Sequence, residues 1–132
     1  TYDALGRLIH LSSSDGTVSY AYSYDLNNNP IEVQDEVSGL TSLYSYDRWN
    51  RTLSDGIKDK AFQSFTYDAL GRLTAISAPD SSDVAYTYQA NHLKTVSWHG
   101  LEHTYTAFDK QGRPLESLLM GKAGAHSTTW DK

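Results

Sequence analysis

The sequence contains no cysteine among its 132 residues. The chain therefore cannot form disulfides or thiolate metal sites, and cysteine usage does not indicate a redox compartment. No apolar stretch is long enough to be a membrane span or the core of a signal peptide. These absences exclude disulfide-stabilised and thiolate metal-binding domains, and they predict no membrane span in this segment.

Runs of Lys or Arg are absent as well. The chain carries 11 Lys and Arg against 16 Asp and Glu, which gives a formal net charge of -5 at pH 7. Proteins that bind nucleic acids need clustered cations to neutralise phosphates. We therefore expect no nucleic-acid partner.

Tyrosine, in contrast, is abundant: the chain contains ten, and aromatic residues make up 12% of the sequence. A disordered chain lacks the apolar surface that offsets its ordering entropy, and this sequence is too aromatic for that class. Its length fits one ordinary domain. Because hydrophobic residues make up only 39%, we expect a sheet-rich protein in which tyrosine is the main core residue.

The sequence is built from a repeat. The eight residues TYDALGRL occur at 1–8 and again at 66–73, and an aromatic residue followed by an acid or a near-equivalent recurs every 20 to 22 residues. This periodicity predicts six units, 2–23, 24–45, 46–66, 67–87, 88–107 and 108–129. We call the first residue of each unit the repeat aromatic. The pairs are Tyr2-Asp3, Tyr24-Asp25, Tyr46-Asp47, Tyr67-Asp68, Tyr88-Gln89, Phe108-Asp109 and, after the last unit, Trp130-Asp131.

Each unit is predicted to form a strand, a tight turn, a second strand and a looser turn. Alternating aromatics such as Tyr20, Tyr22 and Tyr24 indicate a strand that ends at the repeat aromatic. An Asp next to it, with Gly three residues later, is typical of a type I turn followed by a left-handed residue. Asn28 and Asn50 occupy the glycine position and tolerate that conformation.

The looser turns are predicted from clusters of Gly, Asp, Ser and Pro. With them, the pattern predicts an all-β antiparallel hairpin meander of about twelve short strands, although residues 115–120 are apolar enough to suit a helix. An open sheet of this kind leaves edge strands, through which we expect pairing with flanking repeats or another copy. The looser-turn segments are 14–16, 34–39, 55–56, 79–83, 99–100 and 121–124.

The motif Tyr-Asp-x-x-Gly-Arg-Leu resembles the YD repeat, also called the Rhs repeat. Two copies match in full, at residues 2–8 and 67–73, and Phe108 begins a copy that has Pro114 after its Arg. The candidate site is therefore a structural repeat motif, and we assign no catalytic, cofactor-binding or metal residue. Its residues are Tyr2, Asp3, Gly6, Arg7, Leu8, Tyr24, Asp25, Tyr46, Asp47, Tyr67, Asp68, Gly71, Arg72, Leu73, Tyr88, Phe108, Asp109, Gly112 and Arg113.

The resemblance implies a function. Bacterial Rhs and Tc-toxin proteins wind such hairpins into a curled β-spiral shell that encloses a C-terminal toxic domain, and teneurins carry a similar shell in cell adhesion. We therefore expect a non-enzymatic shell segment of a longer, secreted or cell-surface protein of virulence or bacterial competition, with the enclosed toxin domain as a partner. The alternative is a cell-surface adhesion or carbohydrate-binding module, which has glycans as partners. The chain has no Asp-Pro dipeptide, so the toxins' self-cleavage is not carried over.

Four patterns admit a sharper interpretation. The stretch His99-Gly-Leu-Glu-His103 matches a zinc-hydrolase motif, but that chemistry needs a helix, and a looser turn is predicted here. The repeat aspartates suit turn capping better than a Ca²⁺ array. The tyrosine stripe suits core packing better than a sugar platform. Arg7, Arg72 and Arg113 are expected to pair with acids of the neighbouring unit, with little gain in stability.

Overall fold

A computed structural model describes residues 1–121 and 123–130. Within these residues the chain forms twelve strands and no helix, and the strands lie in one antiparallel sheet whose order follows the chain. The predicted all-β hairpin meander is therefore confirmed. No helix suited to crossing a membrane is found in the described part of the chain.

The chain divides into two compact units, of which the first is Thr1–Phe65. An isolated antiparallel bridge between Tyr2 and Leu8 opens this unit. Each strand then pairs with the next one along the chain. The strands are β1 (His10–Ser12), β2 (Ser19–Tyr24), β3 (Pro30–Asp35), β4 (Thr41–Tyr46), β5 (Thr52–Ile57) and β6 (Phe62–Tyr67), of which β6 ends in the second unit.

The second unit begins at Thr66. The strands from β7 onward again pair antiparallel with their neighbours in sequence. Residues 115–118, which the sequence also allowed as a helix, belong to a strand that begins at Pro114. The strands are β7 (Leu73–Ser77), β8 (Val84–Gln89), β9 (His92–Trp98), β10 (Leu101–Phe108), β11 (Pro114–Leu118) and β12 (Ala125–Ser127).

The tight turns have the predicted backbone. In the first, the N–H of Gly6 donates to the carbonyl of Asp3 over 3.0 Å, and the N–H of Asp3 donates to the carbonyl of Arg7 over 2.9 Å. A residue with positive φ therefore closes each turn, which glycine and asparagine tolerate best. The φ angles are 79° at Gly6, 67° at Asn28, 62° at Asn50, 81° at Gly71 and 80° at Gly112.

The predicted looser turn at Asp55 and Gly56 is wrong. Both residues lie inside β5, and the chain reverses at residues 58–60, where Asp59 takes a φ of 59°. Gly56 is needed for a different reason, because a Cβ atom there would lie 2.2 Å from the carbonyl oxygen of Ala61 and 2.7 Å from the Cα of Phe62. The close approach of β6, rather than a turn, explains this glycine.

The fifth tight turn is shorter than the others. Tyr88 pairs with Leu93 and Gln89 with His92, which leaves a two-residue turn with Ala90 at a φ of 51°. In the other turns with a recorded register the repeat aromatic pairs with the residue six places later, as Tyr24 does with Pro30. The shorter spacing of this unit therefore comes partly from its tight turn.

The expectation that tyrosine forms a buried core is wrong. Among the described residues no hydrophobic side chain is buried, and Ser117, at 6% exposure, is the buried polar one. The strand tyrosines are half-buried, for example Tyr22, Tyr44 and Tyr86. The physical reason is that all strands of the described residues belong to one sheet, so no second layer among them covers it and each side chain is covered by its neighbours on the same face.

Candidate functional site

The repeat aspartate caps its own tight turn. In the first turn, Asp3 Oδ1 accepts the backbone N–H groups of Leu5 and Arg7, both over 2.9 Å, and Asp3 Oδ2 accepts Arg7 Nε over 2.7 Å. This satisfies two backbone donors that the turn leaves open. The same three contacts recur at Asp25 with Asn27 and Asn29, at Asp47 with Trp49 and Arg51, at Asp68 with Leu70 and Arg72, and at Asp109 with Gln111 and Arg113.

These contacts favour the ionised carboxylates. The backbone and side-chain hydrogen bonds from Arg7 hold the pKa of Asp3 below its usual range, and those from Arg72 do the same for the pKa of Asp68. At Asp109 partial burial raises the pKa, but the hydrogen bonds from Arg113 outweigh it and the pKa is lowered. The aspartates are therefore fitted to hold turns, and their charge is already satisfied by their own hairpin.

The arginine that follows the turn glycine also contacts the next hairpin. The guanidinium carbon of Arg7 lies 4.9 Å from the ring centroid of Tyr24, and that of Arg72 lies 4.2 Å from Tyr88. Such cation–π contacts are attractive. The sequence predicts that Arg7, Arg72 and Arg113 pair with acids of the neighbouring repeat unit. In the structure each arginine instead pairs with the aspartate of its own turn.

The repeat aromatic donates a hydrogen bond back to the preceding hairpin. Tyr24 Oη donates to the carbonyl of Leu8 over 2.7 Å, and Tyr88 Oη donates to the carbonyl of Leu73 over 2.7 Å. Each acceptor lies six residues after the repeat aromatic of its own unit. We call this group of contacts the hairpin junction. It joins the fifth and sixth residues after one repeat aromatic to the next repeat aromatic, and in the fifth repeat unit, whose turn is one residue shorter, the fourth residue takes the place of the fifth.

Trp130 completes the junction that follows the sixth unit. Its Nε1 donates to the carbonyl of Pro114 over 2.9 Å, and the guanidinium carbon of Arg113 lies 5.3 Å from its ring. The indole thus replaces the tyrosine hydroxyl as donor. Asp131, the acid predicted beside it, lies outside the described residues.

The junction before Phe108 is an apolar variant. Phenylalanine has no donor, and in place of an arginine the ring of His92 stacks on Phe108 with centroids 4.8 Å apart and an interplanar angle of 21°. A Cβ atom on Gly112 would lie 2.3 Å from His92 Cε1. Glycine at this position therefore serves the stacked imidazole as well as the turn.

The remaining repeat residues lie in equivalent places. Tyr46 ends β4 and is half-buried, which raises the pKa of its hydroxyl. Tyr67 ends β6, Leu73 begins β7, and Tyr2 pairs with Leu8 ahead of β1. The structure thus brings predicted motif residues together within the tight turns and, inside each compact unit, between neighbouring hairpins, as with Arg7 and Tyr24 or Arg72 and Tyr88.

The zinc-hydrolase motif does not form a site. His99 lies in the turn between β9 and β10 with a φ of 50°, while Glu102 and His103 lie on β10. Successive strand residues point to opposite faces, so Glu102 and His103 do not converge. Glu102 instead accepts a hydrogen bond from Thr104 Oγ1 over 2.8 Å. Within residues 1–121 and 123–130, no group of three His, Asp or Glu residues is arranged to hold a metal ion.

Sequence reasoning missed a polar cluster across β1 and β2. Ser19 Oγ donates to Glu36 Oε2 over 2.5 Å, and His10 Nε2 lies 3.1 Å from the same oxygen. The hydrogen bonds from Ser19 and His10 lower the pKa of Glu36. The histidine does not stand between the serine and the acid, so this is a cross-strand clamp and not a nucleophile relay. Its residues fall at different repeat positions, which left no signal in the sequence.

Comparison with known proteins agrees with this geometry. The RHS repeat family model matches residues 2–37 and 64–97, which together make up more than half of the chain. The chain belongs to the RHS repeat family. Both matched stretches contain a full copy of the Tyr-Asp-x-x-Gly-Arg-Leu motif and therefore include tight turns described above. No curated protein matches this RHS repeat chain.

Solved structures share the RHS repeat fold at low identity. The crystal structure titled TcdB2-TccC3-TEV superposes with a TM-score of 0.70 at 17% identity over 89% of this chain. The crystal structures of TcdB2-TccC3-Cdc42 and TcdB2-TccC3 give TM-scores of 0.67 and 0.65, each at 13% identity over 90% of this chain. The RHS repeat chain covers 7% of each of these chains. At such identity the similarity shows a common fold.

Proposed function

We propose that this RHS repeat chain is a wall segment of a Tc-like or Rhs toxin shell that helps to enclose a C-terminal toxic domain. The observation that carries the proposal is the hairpin junction, in which Tyr24, Tyr88 and Trp130 each donate a hydrogen bond to the hairpin before them. The role needs no catalysis, because the recurring residues of the repeat hold the tight turns and join hairpins to one another.

The packing supports an extended assembly. Within the described residues no hydrophobic side chain is buried, so each hairpin is stabilised by the hairpins beside it. In repeat proteins of this kind, adding units extends a surface without enlarging a core. The proposed partners are therefore flanking repeats of a longer, secreted or cell-surface parent, and the domain that the shell encloses. The six units and the motif residues named from the sequence are the proposed building blocks.

Limited proteolysis of the parent protein tests enclosure. We expect the C-terminal domain to resist protease in the intact parent and to become cleavable when Arg72→Ala and Tyr88→Ala open one junction. The matched control is Leu70→Ala in the same repeat unit, whose side chain is 71% exposed. Rapid cleavage of the C-terminal domain in the intact parent would contradict the proposal.

A second candidate, carbohydrate binding at a cell surface, is favoured by one exposed ring. Trp49 is 61% exposed, and the guanidinium carbons of Arg48 and Arg51 lie 3.9 and 4.8 Å from its ring centroid. The exposed part of this ring, held in place by the two guanidinium groups, offers apolar surface to a sugar. Binding to a glycan array that is lost in Trp49→Ala and kept in Leu5→Ala would support this function, and an array without signal would exclude it.

A further inference from the structure

Two tight turns carry asparagine where others carry glycine. Asn28 and Asn50 have φ angles of 67° and 62°, in the same region as the 79° of Gly6. A side chain makes this conformation more costly than it is for glycine. The turn by itself therefore does not explain why asparagine stands at these two positions.

Both asparagines accept a hydrogen bond from the hairpin before them. Arg7 Nη1 donates to Asn28 Oδ1 over 3.0 Å, and Asn29 Nδ2 donates to Asn50 Oδ1 over 2.8 Å. In each case the donor is the fifth residue after the preceding repeat aromatic. The two contacts are thus copies of one arrangement, made by different donor side chains within the unit Thr1–Phe65.

Each donor is already fixed by its own turn. Arg7 Nε donates to Asp3 Oδ2 over 2.7 Å, and Asn29 Nδ2 also donates to Asp25 Oδ2 over 3.0 Å. The donor therefore loses little further side-chain entropy when it reaches the next hairpin. This preorganisation makes a contact near the surface more favourable than one between two freely moving side chains.

We infer that Asn28 and Asn50 are ties that fasten each tight turn to the preceding hairpin, and are not weakened copies of the turn glycine. The junction before Phe108 shows the converse case: His92 stacks instead of donating, and a Cβ atom on Gly112 would meet its ring. At these three turns the residue that closes the turn is therefore matched to the side chain that faces it from the hairpin before. This inference depends only on contacts within the chain and does not require the proposed shell.

A double-mutant cycle on the full chain tests the tie between Asn29 and Asn50. The variants are Asn29→Ala, Asn50→Gly and both together, followed by thermal unfolding with circular dichroism. We expect Asn50→Gly to lower the unfolding midpoint by about 2–4 °C in the natural background and by less than half of that beside Asn29→Ala. A rise in the midpoint, or the same shift in both backgrounds, would overturn the inference, because relief of backbone strain alone predicts it.

Two further variants keep the test decisive. Asn27→Ala is the matched control: Asn27 is exposed and its hydrogen bond to Asp25 comes from its backbone N–H, which alanine keeps, so its effect must add to that of Asn50→Gly. If Asn29→Ala does not fold, Asn28→Asp and Asn28→Gly are compared with Arg7 in place. Asp keeps the acceptor and tolerates positive φ, so we expect it to hold the midpoint that Gly loses. Equal losses in Asn28→Asp and Asn28→Gly would contradict the tie.

Discussion

Single residues of the repeat act mainly on the backbone of the tight turn. Asp3 accepts two N–H groups of its own turn, and Gly6 supplies the positive φ that closes the turn. These roles follow from elementary properties: a short carboxylate reaches local donors, and glycine has no Cβ atom to clash. They were predictable from the residue types and their spacing.

Valine at Gly71 should unfold its hairpin. A β-branched side chain at a φ of 81° is strained, so we expect Gly71→Val to lower the free energy of unfolding by about 2 kcal/mol. Urea denaturation followed by circular dichroism measures this. Asn at the same position is the control and should cost much less, since Asn28 and Asn50 adopt this conformation. Equal losses from Val and Asn would contradict the assignment.

Removing the Tyr88 hydroxyl should weaken one hairpin junction. Tyr88 Oη donates to the carbonyl of Leu73 over 2.7 Å in a half-buried site. Tyr88→Phe leaves that carbonyl without its partner, and we expect a loss of about 1–2 kcal/mol in thermal or urea unfolding. The matched control, Tyr2→Phe, changes a side chain that is 69% exposed, and its unfolding midpoint should not move.

At the scale of strands and turns, the period of the aromatic residues predicts the hairpins well and the looser turns less well. Alternation at period two marked strands such as β8, in which half-buried and exposed residues alternate because one face is covered more than the other. The pair Asp55 and Gly56 misled the prediction because their composition is that of a turn, whereas the glycine is needed where β6 approaches β5. Composition does not distinguish these two uses of glycine.

Alanine at Gly56 should separate β5 from β6. Its Cβ atom would lie 2.2 Å from the carbonyl oxygen of Ala61, so the strands must move apart at a cost of about 1–3 kcal/mol. Amide hydrogen exchange should show faster exchange at Ile57, whose N–H donates to that carbonyl over 3.0 Å. Ser64→Ala, at an exposed position of β6, is the control. Unchanged exchange in Gly56→Ala would refute the close approach.

At the scale of the whole molecule, stability is spread over many exposed or half-buried polar contacts. Within the described residues no hydrophobic side chain is buried, and the aspartates hold the turns in their ionised form. Since the same arrangement recurs along the chain, small changes at each turn add up across the protein.

Acid should destabilise the protein between about pH 4 and pH 2. The pKa of Asp15 is lowered to about 2 by hydrogen bonds from Ser13 and Thr17, and the pKa values of the repeat aspartates are lowered by their turn contacts. An aspartate whose pKa is lower in the folded state than in the unfolded state, where it is about 3.9, stabilises the fold at pH values above that unfolded-state pKa. This stabilisation is lost as the pH falls through the folded-state pKa. Thermal midpoints measured from pH 6 to pH 2 should stay level and then fall.

One variant tests whether protonation of the turn aspartates, rather than of other groups, causes this loss of stability in acid. Asp68→Asn removes one carboxylate whose pKa is lowered by the N–H and guanidinium of Arg72. We expect a lower thermal midpoint at pH 6 and a shallower fall between about pH 4 and pH 2. An acid transition of unchanged depth in Asp68→Asn would show that the turn carboxylates do not control it.

Self-association should increase with concentration. Strand β12 (Ala125–Ser127) is exposed along its length and is the last in the strand order of the described residues. An edge strand offers free backbone groups to another chain, so light scattering should show a mass above 14.7 kDa as concentration rises. Ser127→Pro, which removes an edge N–H, should reduce the association. A constant monomer mass at high concentration would exclude edge pairing.

The sequence by itself determined the repeat, the all-β class and the chemistry of each tight turn. These depend on local spacing: Asp, Gly or Asn, and the repeat aromatic act within a few residues of one another, as in the turn from Tyr2 to Leu8. The partners of the arginines were not predictable in this way. The acid expected in the neighbouring unit is replaced by the aspartate of the same turn and by the ring of the next repeat aromatic.

Only the tertiary structure decided which side chains join one hairpin to the next. Three contacts join residues of different repeat units: Arg7 with Tyr24, Asn29 with Asn50, and His92 with Phe108. Spacing along the chain does not specify which side chain faces which across two strands, because that depends on register and turn length. For the same reason the tyrosines are half-buried: their cover comes from neighbours within the sheet, with no second layer to bury them.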